Sequence, residues 1–259
     1  MAHYTLESLT AIMEKLRSDQ GCPWDREQTH QSLTRYLIEE AYEVIDAIEQ
    51  QDPQALAEEL GDVLLQIVFH AQIASENGQF TMDDVLKAVC EKMIRRHPHV
   101  FADTEINSVE DVLSNWEAIK KREKANQDRK SLLDGIPKHL PALLRAEKIQ
   151  SKAAKVGFDW NDISGTIAKL EEEIEEFKQA VAAANHGDME AEIGDLFFSL
   201  VNVCRFLNIN PERALNLTTN KFIRRFQYME KQAALNNREL NTMSLAEMDQ
   251  LWETAKKDS

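Results

Sequence analysis

The stretch EAEIGDLFFSLVNVC, residues 190–204, decides how the rest of the chain is read. From Ile193 to Cys204 the one charged residue is Asp195. A carboxylate placed without a partner in an apolar helix is costly, so it is normally paired or holding a cation. The same oddity stands earlier, in EELGDVLLQIVFHAQ (58–72), where Asp62 is the one charge between Leu60 and Ile73. The glycine before each aspartate, Gly61 or Gly194, costs a helix about 1 kcal/mol relative to alanine. Close approach of a facing helix would explain that choice.

Working outward, the recurrence covers the whole chain. LIEEAYEVIDAI (37–48) aligns with LEEEIEEFKQAV (170–181) at an offset of 133, and AEELGDVLLQIV (57–68) aligns with EAEIGDLFFSLV (190–201) at the same offset. KMIRR (92–96) matches KFIRR (221–225), WEAIK (116–120) matches WETAK (252–256), and MEKL (13–16) matches AEKI (146–149). Trp24 matches Trp160. The landmarks keep their order at offsets between 129 and 136, as a duplicated unit would. Between the copies, KKREKANQDRKSLLDGIPKHLP (120–141) is densely charged and then carries Asp134-Gly135 and two prolines, as a connection would. The expected layout is an N-terminal domain over 1–122, a connection over 123–136 and a C-terminal domain over 137–259.

Composition restricts the fold. Apolar residues make up 43% and charged residues 29%, a globular balance. With 8 Gly and 6 Pro in 259 residues, turn formers are too few for an all-β chain. Ile38, Ala41, Ile45 and Ile48 recur on one face of a helix. The bend QQDPQ (50–54) and its counterpart HGD (186–188) lead into the aspartate helices. Asn77-Gly78 and Asn208 to Pro211 end them. The expected fold is all-α, two tandem copies of a four- to five-helix bundle.

A formal charge of −15 argues against a nucleic-acid partner, because phosphate backbones are bound by an excess of Lys and Arg. It is compatible with phosphates held through a divalent cation. Cys22, Cys90 and Cys204 lie far apart, which suits reduced thiols in a cytoplasmic protein. The N-terminus lacks the pattern of a signal peptide. No apolar run approaches the roughly 20 residues of a membrane span.

The chemistry lies in E-E-x-x-E followed by E-x-x-D. In the second copy these are Glu172, Glu173, Glu176, Glu192 and Asp195; in the first they are Glu39, Glu40, Glu43, Glu59 and Asp62. The gap from third glutamate to fourth is 16 positions in both. At about 100° per residue each set falls on one helix face, and antiparallel packing brings the faces together. Five carboxylates sharing one volume need cations, and hard oxygen ligands suit Mg²⁺, with Mn²⁺ as a substitute. Mg²⁺ keeps waters and takes further ligands from phosphates, so a phosphorylated substrate is expected. A di-iron bundle would need Glu-x-x-His twice. Only Glu27 and His30 have that spacing, without a counterpart. His97 and His99, flanking Pro98, read as a helix end.

On these residues the sequence closely resembles the MazG-type nucleoside triphosphate pyrophosphohydrolases of the all-α NTP pyrophosphatase superfamily. The matching segments are GCPWDREQT (21–29), EEAYEVIDAI (39–48), ELGDVLLQIVFHAQ (59–72), RRHPHVFAD (95–103), RAEKIQSKAAKVGFDW (145–160) and EAEIGD (190–195). The resemblance implies an ATP-binding hydrolase of NTPs and dNTPs that gives the monophosphate and pyrophosphate, with Mg²⁺ and as a homodimer. Carried over by position, Glu173, Glu176, Glu192 and Asp195 are Mg²⁺ ligands, and Glu172 orients or deprotonates the attacking water or binds a second metal. Glu40, Glu43, Glu59 and Asp62, with Glu39, are their equivalents.

Lys221 and Arg225 are four apart and project from one helix face, as do Trp252 and Lys256. The resemblance makes these four, with Lys169 and Glu172, the substrate-binding set, the tryptophan stacking on the base. The first copy keeps Lys92, Arg96, Trp116 and Lys120 but has Tyr36 where Lys169 stands. The C-terminal copy is therefore expected to be catalytic and the N-terminal one weak or inactive. Stacking accepts any base, so broad tolerance is expected. The competing readings are a narrower house-cleaning dNTP pyrophosphatase, for dUTP or damaged nucleotides, and a helical nucleotide-binding module without turnover.

Overall fold

The computed structural model describes residues 3–102, 108–123 and 130–257. These form two compact units, Met1–Gln127 and Asp128–Ser259. Residues 124–129 of the expected connection lie outside the described residues, as does Asp103 of the RRHPHVFAD motif. All described regular structure is helical.

In unit 1 the helices are α1 (Leu6–Arg17), α2 (Pro23–Glu27), α3 (Thr34–Gln50), α4 (Pro53–Glu76), α5 (Met82–Arg96), α6 (Pro98–Phe101) and α7 (Val109–Arg122). Unit 2 has α8 (Ala142–Ala154), α9 (Ile163–Ala182), α10 (His186–Phe206), α11 (Pro211–Leu235), a 3₁₀ turn at Leu240–Thr242 and α12 (Leu245–Lys257). In each unit two long helices form a central antiparallel hairpin, α3–α4 or α9–α10; α1 and α5 pack on the first and α8 and α11 on the second, while α7 packs on α5 and α12 on α11.

The sequence punctuates these helices in readable ways. Asp52 accepts hydrogen bonds from the backbone N–H groups of Gln54 and Ala55 at 2.9 and 3.2 Å, and Pro53 opens α4 where its missing N–H is harmless. Asn185 caps α10 in the same manner, accepting from Gly187 at 3.2 Å. HGD (186–188) thus belongs to α10, and the bend falls just before it, at Ala183 to Asn185. The duplication extends to the backbone. Gln51 and Ala184, at the offset of 133, both turn left-handed at φ 56° and 52°. Each closes the first helix of its hairpin.

One difference between the copies has a simple cause. After KMIRR the first copy has His97-Pro98, and a residue before proline is driven out of the helical region. His97 sits at φ −121°, ψ 57°, α5 stops at Arg96, and Pro98 starts the short α6. The second copy has Phe226-Gln227 there, and α11 runs on for 25 residues. His97 is a helix end, with its ring 4.9 Å from that of Trp116.

Unit 1 has a true core of Met13, Leu33, Val68, Phe69, Ala71, Ile73 and Met82, with Leu6, Leu9, Tyr36, Leu65 and Val85 packed against it. Arg17 clamps α1 to α4: its guanidinium bonds Glu76 at 2.7 to 3.1 Å and lies 5.4 Å from the Phe69 ring. In unit 2 the buried apolar residues are few and mostly small, Ala180, Val201, Met229, Ala233 and Ala255.

The periodic face Ile38, Ala41, Ile45 and Ile48 is helical yet exposed, Ile48 at 55%. Asp195 is exposed too, and Asp62 half-buried, so the apolar run around each aspartate is not an interior within one chain. Phe197 and Phe198, beside Asp195, are 56% and 43% exposed. A methyl group added at Gly61 or Gly194 meets no atom within 4 Å. The close approach expected at these glycines is therefore absent among the described residues. Both hairpins present a broad apolar surface that their own unit leaves uncovered.

Adjacent residues on α1 give a direct check of where the core lies. Met13 is 1% exposed and Ile12 48%. Met13→Ala should lower unfolding free energy by about 2–5 kcal/mol, whereas Ile12→Ala should stay within about 0.5 kcal/mol. Urea titrations of both variants measure the contrast.

Candidate metal and nucleotide site

The carboxylates of unit 2 come from both arms of its hairpin: Glu172, Glu173 and Glu176 from α9, Glu192 and Asp195 from α10. Oxygens of Glu173, Glu192 and Asp195 lie within 4.8 Å of one another. Glu173 is 5% exposed, Glu192 half-buried and Asp195 exposed, so the trio runs from the hairpin interior to its surface. The Oε2 of Glu192 is buried without a hydrogen-bond partner. Burial pushes the Glu192 carboxyl above its ordinary range, with further upward pressure from Glu176, Asp195 and Glu173. Glu176 stands outside the tight trio yet close enough for its charge to act on it. Such a group is short of positive charge, and its donors are all hard oxygens.

One cation of the chain already leans on it. Lys169, one helical turn before the E-E-x-x-E run, places Nζ 2.8 Å from a carboxylate oxygen of Glu172 and 2.8 Å from one of Glu173. Its hydrogen bonds to these two carboxylates hold the ammonium charged well above its usual range. Glu172, exposed and tied to Lys169, is thus joined to the trio through a shared lysine.

Unit 1 repeats the arrangement with a shift of membership. Its tight trio is Glu40, Glu43 and Glu59, while Asp62 adds its charge from just outside. Burial raises the carboxyls of Glu40 and Glu59, a hydrogen bond with Glu43 adds to the first, and the neighbouring carboxylates raise both. Glu39 is exposed on α3. Unit 1 has no lysine at the position of Lys169: Tyr36 stands there and packs against the core of unit 1 with its ring 6.0 Å from that of Trp24. The Tyr36 hydroxyl accepts a hydrogen bond from Arg35 at 2.8 Å, and the Arg35 guanidinium lies 4.5 Å from the tyrosine ring.

The second group of expected residues sits on α11 and α12. Arg225 lies 5.6 Å from the centre of the Trp252 ring. Phe222 lies 5.0 Å from it, tilted by 51°. Lys221 is exposed one turn before Arg225, and Lys256 pairs with Glu253. Phe222 was missed in reading the sequence, though it stands inside the quoted KFIRR, where the first copy has Met93. A residue four from Phe226 and three from Arg225 had a visible claim to that face. The carboxylates with Lys169 form one group and Arg225 with Trp252 another. Among the described residues the two share no hydrogen bond or ion pair.

The model of the MazG nucleotide pyrophosphohydrolase domain matches twice, over residues 28–101 and 162–229, and each match contains one carboxylate group. A Thermotoga maritima protein named nucleoside triphosphate pyrophosphohydrolase/pyrophosphatase MazG is 49% identical over 96% of this chain and 95% of its own length. An Escherichia coli K12 nucleoside triphosphate pyrophosphohydrolase is 43% identical over 97% of both. Bacillus subtilis YabN is 52% identical over 99% of this chain, which spans 52% of that protein. With the domain present twice and full-length relatives at this identity, the chain belongs to the MazG nucleotide pyrophosphohydrolase family.

Proposed function

We propose that the chain hydrolyses nucleoside triphosphates, NTP or dNTP, to the monophosphate and pyrophosphate, and that unit 2 carries the reaction. The observation behind this is the Glu173–Glu192–Asp195 trio with its unpartnered buried oxygen. The relatives' printed activities agree with it. The site would be held by Glu173, Glu176, Glu192 and Asp195 around Mg²⁺, or Mn²⁺ in its place, since all-carboxylate donors fit a hard cation. The cation, when bound, supplies charge neutralisation at the phosphates.

The protein's own groups do the rest. Glu172 takes the proton from the water that attacks the α-phosphorus, and the bond to the bridging α–β oxygen breaks as pyrophosphate departs. Lys169, close to Glu172 and Glu173, faces the developing negative charge; Lys221, Arg225 and Lys256 hold phosphate oxygens. Trp252, with Phe222 beside it, offers an aromatic face that stacks on any base, which supports broad tolerance.

The domain layout follows: 1–122 a weak or inactive copy, 123–136 a connection, 137–259 the catalytic copy. Tyr36 supports the asymmetry, because the core of unit 1 holds an aromatic ring where unit 2 points an ammonium at its carboxylates. A homodimer is part of the proposal. The exposed apolar residues of the hairpins, Ile193, Phe197 and Leu200 among them, support it, because clustered exposed apolar surface commonly marks an interaction face. No helix among the described residues is long and apolar enough to cross a membrane, and the three cysteines are free, which supports a reduced cytoplasmic setting.

Product analysis with ATP and Mg²⁺ tests the chemistry. AMP and pyrophosphate are expected, and Glu173→Ala should lower kcat by at least about 100-fold, as loss of a preorganised charge contact does. Glu40→Ala should leave turnover within about twofold, since it alters the carboxylate group of the copy expected to be weak or inactive, and independent sites act separately. ADP and phosphate as products, or no product from any NTP, would sink the reading. Thermal unfolding tests the cation: Mg²⁺ at a hundredfold excess over Kd should stabilise the protein by about 2.7 kcal/mol. Glu192→Gln should raise the melting temperature without Mg²⁺, by relieving repulsion, and shrink the Mg²⁺-dependent rise. Sedimentation tests assembly: the wild type should run as a dimer, and Phe197→Asp should shift it towards monomer.

A further inference from the structure

The two copies treat one arginine in opposite ways. Arg96 and Arg225 correspond at the offset of 129, and each guanidinium lies against the corresponding tryptophan, Trp116 at 5.2 Å or Trp252 at 5.6 Å. In unit 2 the buried Nε of Arg225 has no hydrogen-bond partner. In unit 1 the same nitrogen is taken. Glu123, the first residue past α7, accepts from Arg96 Nε at 3.0 Å and from Nη2 at 2.5 Å, while Arg95 Nη2 adds a third bond at 2.8 Å. The side chains of Arg96 and Glu123 are each 14% exposed, so the pair is largely withdrawn from water. At the offset of 136 that brings Trp116 onto Trp252, Glu123 falls on Ser259, an uncharged side chain.

A carboxylate set two-on-two against a guanidinium presents the same paired oxygens that a phosphate would. On the reading that Arg225 and Trp252 hold nucleotide, we infer that Glu123 is an internal occupant of the equivalent anion position in unit 1, and that a nucleoside phosphate settles on Arg96 and Trp116 only when this carboxylate is withdrawn. Bonds from Arg96 and Arg95 hold the Glu123 carboxyl down to about 2, so the occupant stays charged across the physiological range. Unit 1 is then a closed copy of the site, shut by the residue that leads out of α7. Tyr36 accounts separately for poor turnover. Opening the position is expected to add binding rather than hydrolysis.

The test counts bound α,β-methylene-ATP, which cannot be cleaved at the α–β bond, by equilibrium dialysis on the full chain with Mg²⁺. One molecule per chain is expected for the wild type and two for Glu123→Ala, the second at least about tenfold tighter than in the wild type, a 1.4 kcal/mol gain. Glu123→Gln, which keeps the side-chain shape, should move in the same direction and serves if the alanine variant fails to fold. Adding Arg96→Ala to Glu123→Ala should return the count to one. Two molecules on the wild type, one on both Glu123 variants, or two persisting in the double variant would each overturn the inference. None on the wild type but one on Glu123→Ala would instead remove unit 2 as the nucleotide site and leave Glu123 as the gate. None on either would end both readings.

Discussion

The repulsion among carboxylates on the central hairpin is the constraint from which the rest of the site follows. Two helices that bring Glu173, Glu192 and Asp195 within 4.8 Å set like charges against one another, and an opposing charge or a proton relieves them. Each further feature of unit 2 answers that need in part. Lys169 reaches back one turn to two of the carboxylates, Asp195 keeps to the solvent side, and one oxygen of Glu192 is left with nothing to bond. The hairpin itself is secured by other means: side-chain caps at its bend, left-handed turns at Gln51 and Ala184, and packing along its length. The hairpin thus carries a carboxylate group that could hold a cation without depending on it for its own folding.

Nearly all of the architecture was legible in the sequence because it is written twice. A motif seen once has many readings; a motif seen at the same offset with its neighbours in order has few. The carboxylate groups were legible for the same reason, since helical period and a common 16-residue gap fix which side chains meet. Membership of the tight trios was not. The second copy takes in Asp195 and leaves out Glu176, whereas the first takes in Glu43 and leaves out Asp62, a choice the helical period does not fix.

Burial was the least legible property. Asp195 in its apolar run looks like an interior charge, and Gly194 looks like a contact point, yet both face open space in the single chain. Periodicity reports that a face avoids water; it does not report which molecule covers that face. Ile38, Ile45 and Ile48 misled in the same way. Phe222 was overlooked because its neighbours in KFIRR are charged and drew the functional reading to themselves, while its contact with Trp252 depends on how α12 returns across α11.

Tyr36 bears on whether the duplication could ever be undone. In unit 2 the equivalent position pairs with the carboxylates; in unit 1 it packs half-buried against the hydrophobic core, its ring edge-on to Trp24. Exchanging the tyrosine for lysine would not simply restore a missing ammonium. It would also remove an aromatic body that packs against the core of unit 1. Such a position works as a ratchet. Once an aromatic side chain has been recruited against the core, drift back towards a lysine must pass through less stable intermediates, and specialisation of the two halves becomes self-reinforcing.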